Sequence, residues 1–158
     1  ECLVEYLDEK RIGKVLLGNN PLEKLEVRRI CLWVVKKLQK EVMENILDER
    51  VFNSLKDNSP PSTSILNAGR KNLRNHLKYF DWILGRRSFL AGDIFTVADI
   101  VLAAAISSLD YLSEINWENY EKFKNWYAVI KSRPSFREVL EESIYNISPS
   151  AHYKDLDF

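Results

Sequence analysis

The stretch Phe89-Leu90-Ala91-Gly92-Asp93-Ile94-Phe95-Thr96-Val97-Ala98-Asp99 predicts the start of a helix at nearly every position. Thr96 is a suitable N-cap, because its hydroxyl can accept a hydrogen bond from the N–H of Asp99. The Asp99 carboxylate can in turn reach back to the N–H of Thr96, as in a capping box. Phe95 and Ile100 can close over this turn as a hydrophobic staple. We interpret Thr96 and Asp99 as structural residues rather than as a polar site.

The residues that follow, 100–106, are apolar on almost every side. A helix without a polar face belongs inside a domain, so we expect a fully buried central helix over about 97–112. Only five glycines and five prolines interrupt the chain, and few segments alternate in the manner of strands. The sequence therefore predicts an all-α bundle of five to six helices around the central one.

Two long amphipathic helices are predicted before the central one. Asn20 is a suitable N-cap for the first, with Pro21 at its first position and Glu23 three residues beyond the cap. The proline-containing segment 57–62 cannot be helical, so it separates this helix from a second one that ends at Gly85. Because the connection is short, we expect the two helices to lie antiparallel.

Shorter helical segments are predicted over 2–8, near 117–131 and from Pro134 onward. The last residues lack periodicity. We expect this tail to lie across the surface, held by Tyr153, Leu156 and Phe158.

Composition indicates one soluble domain without a polyanionic partner. The chain has 158 residues, with 23 Lys plus Arg against 23 Asp plus Glu, so no net charge favours nucleic acid or an anionic membrane. No apolar run approaches the ~20 residues that span a bilayer. The two cysteines, Cys2 and Cys31, form no disulfide framework, which favours a cytoplasmic location.

No metal site is expected. His76 and His152 are far apart and lack neighbouring cysteine or carboxylate ligands at useful spacing. Cys31 has no histidine or aspartate partner at useful spacing on its helix, so we interpret it as a buried structural thiol.

Three motifs resemble the C-terminal helical domain of the cytosolic glutathione transferases: Phe89-Leu90-Ala91-Gly92-Asp93 before Thr96-x-x-Asp99, Trp126-Tyr127, and Arg133-Pro134-Ser135-Phe136. The resemblance covers nearly the whole chain, and the tail 151–158 is similar to that of some bacterial members. It implies four parts: the last helix of a thioredoxin-like domain over 1–9, a linker over 10–20, the helical domain over 21–147, and a surface tail over 148–158.

The resemblance implies a glutathione transferase when the protein is full length, with glutathione as co-substrate and no other cofactor. In the family the catalytic hydroxyl or thiol lies in the thioredoxin-like domain, so we assign no catalytic residue here and expect the chain by itself to be inactive. Glu1 and Cys2 would bind the γ-glutamyl end of glutathione. Cys2 stands where the family has serine, and a thiol is a weak donor. The alternative is that both residues only begin a helix.

By the same resemblance, the helix from Pro21 would line the cleft between two domains. Its candidates for contacting glutathione or a hydrophobic electrophile are Arg29, Trp33, Lys36 and Lys37. The alternative is a solvated basic face whose lysine stems cover apolar surface, with Trp33 in the core. We expect a homodimer. A non-catalytic protein–protein interaction module on the same fold is the alternative function, because fold does not settle function.

Overall fold

The computed structural model describes residues 2–10, 15–57 and 60–156, and all regular structure within them is helical. The predicted all-α class is confirmed. Among these residues, no helix combines the length and the apolar character that crossing a bilayer requires. The helices are α1 (Cys2–Glu9), α2 (Pro21–Leu32), a π-helical segment (Trp33–Met43), α3 (Glu44–Leu47), a second π-helical segment (Asp48–Phe52), α4 (Asn53–Asp57), α5 (Thr63–Leu84), α6 (Val97–Tyr111), α7 (Glu121–Lys131) and α8 (Arg137–Glu141).

The capping box of Thr96 and Asp99 begins α6. One Asp99 carboxylate oxygen, Oδ2, accepts the Thr96 N–H at 2.9 Å and the Thr96 hydroxyl at 3.2 Å. The other, Oδ1, accepts the N–H of Leu90 at 3.0 Å and the indole N–H of Trp126 at 2.9 Å. This fully buried carboxylate therefore joins the preceding loop, the start of α6 and helix α7.

Helix α6 lies at the centre of the bundle, but it is not buried all round. Leu102, Ala103 and Ile106 are completely enclosed, whereas Ile100 is 42% exposed and Ala104 is also exposed. The expectation of full burial is therefore wrong at these two positions. Phe95, which precedes the cap, belongs to the residues packed against the core.

Residues 21–57 form one long helical rod whose middle is wound more widely than an α-helix. The buried residues Val34, Leu38, Val42 and Ile46 recur at every fourth position. In an α-helix of 3.6 residues per turn, each step of four would rotate the side chain by about 40°. In the wider π winding, in which the N–H of Glu44 bonds to the carbonyl of residue 39, a step of four rotates the side chain in the opposite direction, and all four side chains are buried.

Helix α5 lies antiparallel to this rod, as predicted. Arg29, near the start of the rod, donates to the hydroxyl of Tyr79 near the end of α5. Gly69, near the start of α5, lies against Ile46 further along the rod. A Cβ atom at Gly69 would come within 2.9 Å of the Ile46 side chain and 3.0 Å of Asn45, so glycine permits this close approach.

The C-terminal third differs from the sequence prediction in two places. The segment near 117–131 is not one helix, because a 3-10 turn at Trp117–Asn119 precedes α7. A second 3-10 turn, at Pro134–Phe136, leads into α8. In the tail, Tyr153 is buried and its hydroxyl lies 2.7 Å from that of Ser107. Leu156 is 39% exposed, and Phe158 lies outside the described residues.

The Asp99 carboxylate gives a direct test of how α6 is held. Asp99→Asn would turn an amide NH₂ toward hydrogen-bond donors, and we expect it to lower the free energy of unfolding by about 3 kcal/mol. Thr96→Ala should cost roughly 0.5–2 kcal/mol, and Thr96→Ser, which keeps the hydroxyl, should cost less. Urea denaturation measures all three. Unchanged midpoints for Asp99→Asn and Thr96→Ala would contradict the role of this box.

Candidate functional site

An apolar cleft of about 250 Å³ lies between α1, α2 and α6. Helix α2 and the first turn of the π-helical segment supply one wall, α6 supplies the second, and α1 supplies the third. The apolar lining includes Val4, Leu17, Val27, Cys31, Leu32, Val35, Val97 and Val101.

Helical spacing explains how the sequence forms this cleft. Val27, Cys31 and Val35 recur at every fourth residue of the rod, and Val97 and Val101 do the same on α6. Residues four apart lie on one face of a helix. The predicted amphipathic helix has one apolar face, and the repeat of Val27, Cys31 and Val35 gives the rod a second one that was not predicted.

Charged residues lie at the edge of the cleft. Arg28 forms a salt bridge of 2.8 Å with Glu5, which ties α2 to α1. Lys36 lies two turns further along the rod and also lines the cleft. Because Glu5 balances the charge of Arg28, Lys36 is the cation through which this apolar cavity can receive an apolar molecule that carries a negative charge.

The loop before α2 is held against α1 by a second carboxylate. Asp8 accepts the N–H groups of Leu16 and Leu17 at 3.0 and 3.3 Å. This contact places Leu17 in the lining of the cleft.

The candidates Arg29, Trp33 and Lys37 lie on the other side of the rod, facing α5. Arg29 binds the carboxylate of Glu26 through two bonds of 2.8 and 2.9 Å. Arg87 donates to the same carboxylate at 2.6 Å. The hydrogen bond from Arg29, with that from Arg87, lowers the pKa of Glu26 to about 2. Arg29 therefore forms an ion-pair network with Glu26 and Arg87.

Trp33 and Lys37 belong to a network around His76, which is 3% exposed. The Trp33 indole N–H donates to Nδ1 of His76 at 2.9 Å, and Nε2 of His76 lies 3.0 Å from the Glu41 carboxylate. Nδ1 accepts, so the proton of the neutral ring is on Nε2. Lys37 forms a 2.9 Å salt bridge with the same Glu41. Burial lowers the pKa of His76.

Three aromatic side chains continue outward from this network, and we call Trp33, Tyr79 and Trp82 the aromatic ladder. The Trp33 and Tyr79 rings stack with centroids 4.6 Å apart, and Tyr79 and Trp82 are stacked at 6.4 Å. Trp82 is 56% exposed, and the Arg86 guanidinium lies 4.1 Å from its ring centre. The ladder therefore ends in a large exposed aromatic surface.

The four predicted acceptor-site residues lie on two different sides of the rod. Of the four acceptor-site candidates, Lys36 lines the cleft, while Arg29, Trp33 and Lys37 face α5. Cys31 lies in the cleft as a half-buried thiol rather than in the closed core. Glu1 and the side chain of Cys2 lie outside the described residues. Within the residues that the structure describes, no three His, Cys, Asp or Glu side chains come together as metal ligands do.

The fold agrees with the known proteins to which this chain is similar. A family model described as "Glutathione S-transferase, C-terminal domain" matches residues 45–143. The chain belongs to the glutathione S-transferase family and contains its C-terminal helical domain.

Three relatives illustrate the range of the family around this chain. A glutathione S-transferase from Rhodospirillum rubrum has a solved structure that is 41% identical, with a TM-score of 0.93, and the match covers 99% of this chain and 70% of that one. One from Sinorhizobium meliloti is 40% identical, with a TM-score of 0.90, over 98% and 70%. FtsZ-localized protein A from Caulobacter vibrioides is 36% identical over 157 residues, which is 99% of this chain and 69% of that protein.

The buried His76 ring predicts a pH dependence of stability. Its folded pKa lies below the ordinary value of 6.5, so the unfolded state binds more protons as the pH falls through that value. We therefore expect a stabilising contribution that is complete above pH 6.5 and is lost as the pH falls toward the folded pKa.

His76→Gln should flatten this part of the stability curve, because glutamine can accept from Trp33 without titrating. NMR titration of the two histidine rings measures the pKa directly. A His76 pKa above 6.5, or an equal pH slope in the variant, would contradict the assignment.

Proposed function

We propose that this chain is the helical part of a glutathione transferase, and that the cleft between α1, α2 and α6 forms one wall of its acceptor site. The observation that carries the proposal is the apolar cleft itself, with the exposed Lys36 in its lining. Its apolar walls suit a hydrophobic electrophile, and the Lys36 ammonium suits a negative charge on such a molecule.

The reaction in this proposal is attack by the glutathione thiolate on an electrophilic carbon. A sulfur–carbon bond forms, and the leaving group departs with its electron pair. Lowering the pKa of the thiol raises the fraction present as thiolate. The activating hydroxyl or thiol would belong to a thioredoxin-like domain that ends with residues 1–9, and Glu1 and Cys2 would bind the γ-glutamyl end. In this proposal the protein works in the cytoplasm.

The two transferases from R. rubrum and S. meliloti support this proposal, since they are 41% and 40% identical to this chain over nearly its whole length. The shared fold and the sequence identity favour a related reaction. The cleft adds a physical reason, because it offers a place for the electrophile. A cavity of this size can hold part of a small ligand rather than a macromolecule.

Filling the cleft tests the proposal in the full-length protein. Val101→Trp should raise the KM for a dinitrohalobenzene electrophile about tenfold, which corresponds to about 1.4 kcal/mol. The KM for glutathione should change little, because in this proposal Glu1 and Cys2 bind the γ-glutamyl end, whereas Val101 lies on α6. Val129→Trp, at an exposed position of α7, is the matched control and should leave both constants unchanged.

Binding to immobilised glutathione provides the second arm of this experiment. Retention of the folded full-length protein, together with the selective effect of Val101→Trp, supports the transferase. A folded protein that neither binds glutathione nor conjugates the electrophile would contradict it.

A non-catalytic interaction module is the second candidate function. It is favoured by Cys2 at the position of the family's serine, and by the similarity to a relative whose name records localization by FtsZ. The engagement of Arg29, Trp33 and Lys37 in internal contacts also favours it, because three expected ligand-binding side chains are used within the fold.

For either function we propose a homodimer in which the aromatic ladder contacts a second copy of the chain. Tryptophan, tyrosine and arginine are enriched at the centre of protein interfaces, and Trp82, Tyr79 and Arg86 come together at the end of the ladder. Leu22, Leu25 and Arg29 lie on one side of α2 at helical spacing, and both leucines are more than half exposed. These side chains extend the apolar surface from the ladder along the rod.

Trp82→Glu should convert the homodimer to a monomer, because the carboxylate would be buried against the partner. Sedimentation equilibrium of the full-length protein measures the change. Tyr145→Glu is the control, since Tyr145 is 78% exposed in the segment that follows α8. A dimer that persists in Trp82→Glu, or an equal effect of Tyr145→Glu, would contradict the assignment of this interface.

A further inference from the structure

A second cavity, which we call the basic groove, lies away from the cleft and has a volume of about 680 Å³. One wall is α5, and the other is the connection between α6 and α7 together with α7 itself. Its polar lining includes Arg70, Arg74, Asn116, Asn119, Tyr120 and Lys124. None of these residues lines the cleft described above.

Positive charge predominates in the basic groove. Arg70, Arg74 and Lys124 line it against two carboxylates, Glu114 and Glu118. Glu114 is bound by two guanidinium groups, with contacts of 2.7 Å to Arg70 and to Arg50. Although burial opposes ionisation, hydrogen bonds from these arginines keep the pKa of Glu114 below its usual value. One carboxylate shared by two guanidinium groups leaves a net positive charge at this wall.

The groove also offers neutral hydrogen-bond donors. Burial raises the pKa of Tyr120, against the opposite effect of the nearby Arg74 charge, so its phenol remains a protonated donor at neutral pH. The Asn116 side-chain oxygen accepts the N–H of residue 118 at 3.2 Å. Its NH₂ group is then the part of the side chain that can donate to a ligand.

The floor of the groove is apolar and firmly held. Leu73, Leu77 and Ile115 are buried there. The Trp117 indole N–H donates to the buried Asp110 carboxylate at 2.9 Å, which fixes the short 3-10 turn that forms the rim. Low-dielectric walls around positive charges strengthen the field inside a concave site.

We propose that the basic groove binds a phosphate monoester that carries an apolar group. Arg74 and Lys124 would contact the phosphate oxygens, and the apolar group would lie on Leu73, Leu77 and Ile115. The volume is within the range of small-molecule sites, and guanidinium groups match the geometry of phosphate oxygens. Because the groove is separate from the cleft, this site does not depend on transferase activity.

Calorimetric titration of the full-length protein at constant ionic strength tests the proposal, with phenyl phosphate and inorganic phosphate as probes. Phenyl phosphate should bind saturably and more tightly than inorganic phosphate. Arg74→Gln should raise the Kd for phenyl phosphate about tenfold, the effect expected for one charged hydrogen bond. Glu118→Gln should lower the Kd, since it removes a negative charge from the lining.

Lys78→Gln is the matched control, because Lys78 is exposed on the same helix one turn beyond Arg74 and does not line the groove. It should leave the Kd unchanged. Absence of saturable binding, or equal weakening by Arg74→Gln and Lys78→Gln, would overturn the site. Equal affinity for the two probes would overturn the role of the apolar floor. Circular dichroism melts establish that each variant is folded.

Discussion

The buried Asp99 carboxylate is the interaction on which the rest of this fold depends. Each of its oxygens accepts two hydrogen bonds, so all the donors around it are satisfied by a single side chain. Three of these donors come from Leu90 and Thr96, and the fourth is the indole of Trp126 on α7. A buried charge is costly unless it is paired or hydrogen-bonded in this way. The carboxylate therefore specifies how the loop and α7 are placed on the central helix.

The long rod over residues 21–57 connects this centre to both candidate surfaces. In its widely wound middle, Val34, Leu38 and Val42 are buried against the bundle. One side of the rod lines the cleft, and another side contacts α5. The cleft is apolar, with Lys36 and the Arg28–Glu5 ion pair in its lining, whereas the side facing α5 carries the aromatic ladder and the ion pairs of Arg29 and Lys37. This division explains why Lys36 and Lys37, although adjacent in sequence, take part in different sites.

The structural features that could be predicted from sequence are those set by nearby residues. The cap of α2 depends only on Asn20, Pro21 and Glu23, and Asn20 accepts the N–H groups of residues 22 and 23 at 3.0 Å. Thr96 and Asp99 are likewise three residues apart. The resemblance to the glutathione transferases was likewise based on local motifs, such as Thr96-x-x-Asp99 and Trp126-Tyr127.

Features that depend on distant contacts could not be predicted in this way. The role of Trp33 is set by His76, which is 43 residues away, so the sequence alone could not distinguish a ligand platform from a member of an internal network. The exposure of Ile100 and Ala104 on α6 depends on how far the neighbouring helices extend over them. The cleft requires α1, α2 and α6 together, and single-helix periodicity contains no information about that arrangement.

Hydrogen exchange at the backbone N–H of Leu90 is the most direct measurement of the central claim. This group lies in a loop, outside any helix, and its acceptor is the Asp99 side chain. If Asp99 holds the loop and α7 on the central helix, the Leu90 amide should exchange only when the whole domain unfolds, with the same free energy as the core amides of α6. Exchange at the rate of an ordinary surface loop, while α6 stays protected, would contradict the account.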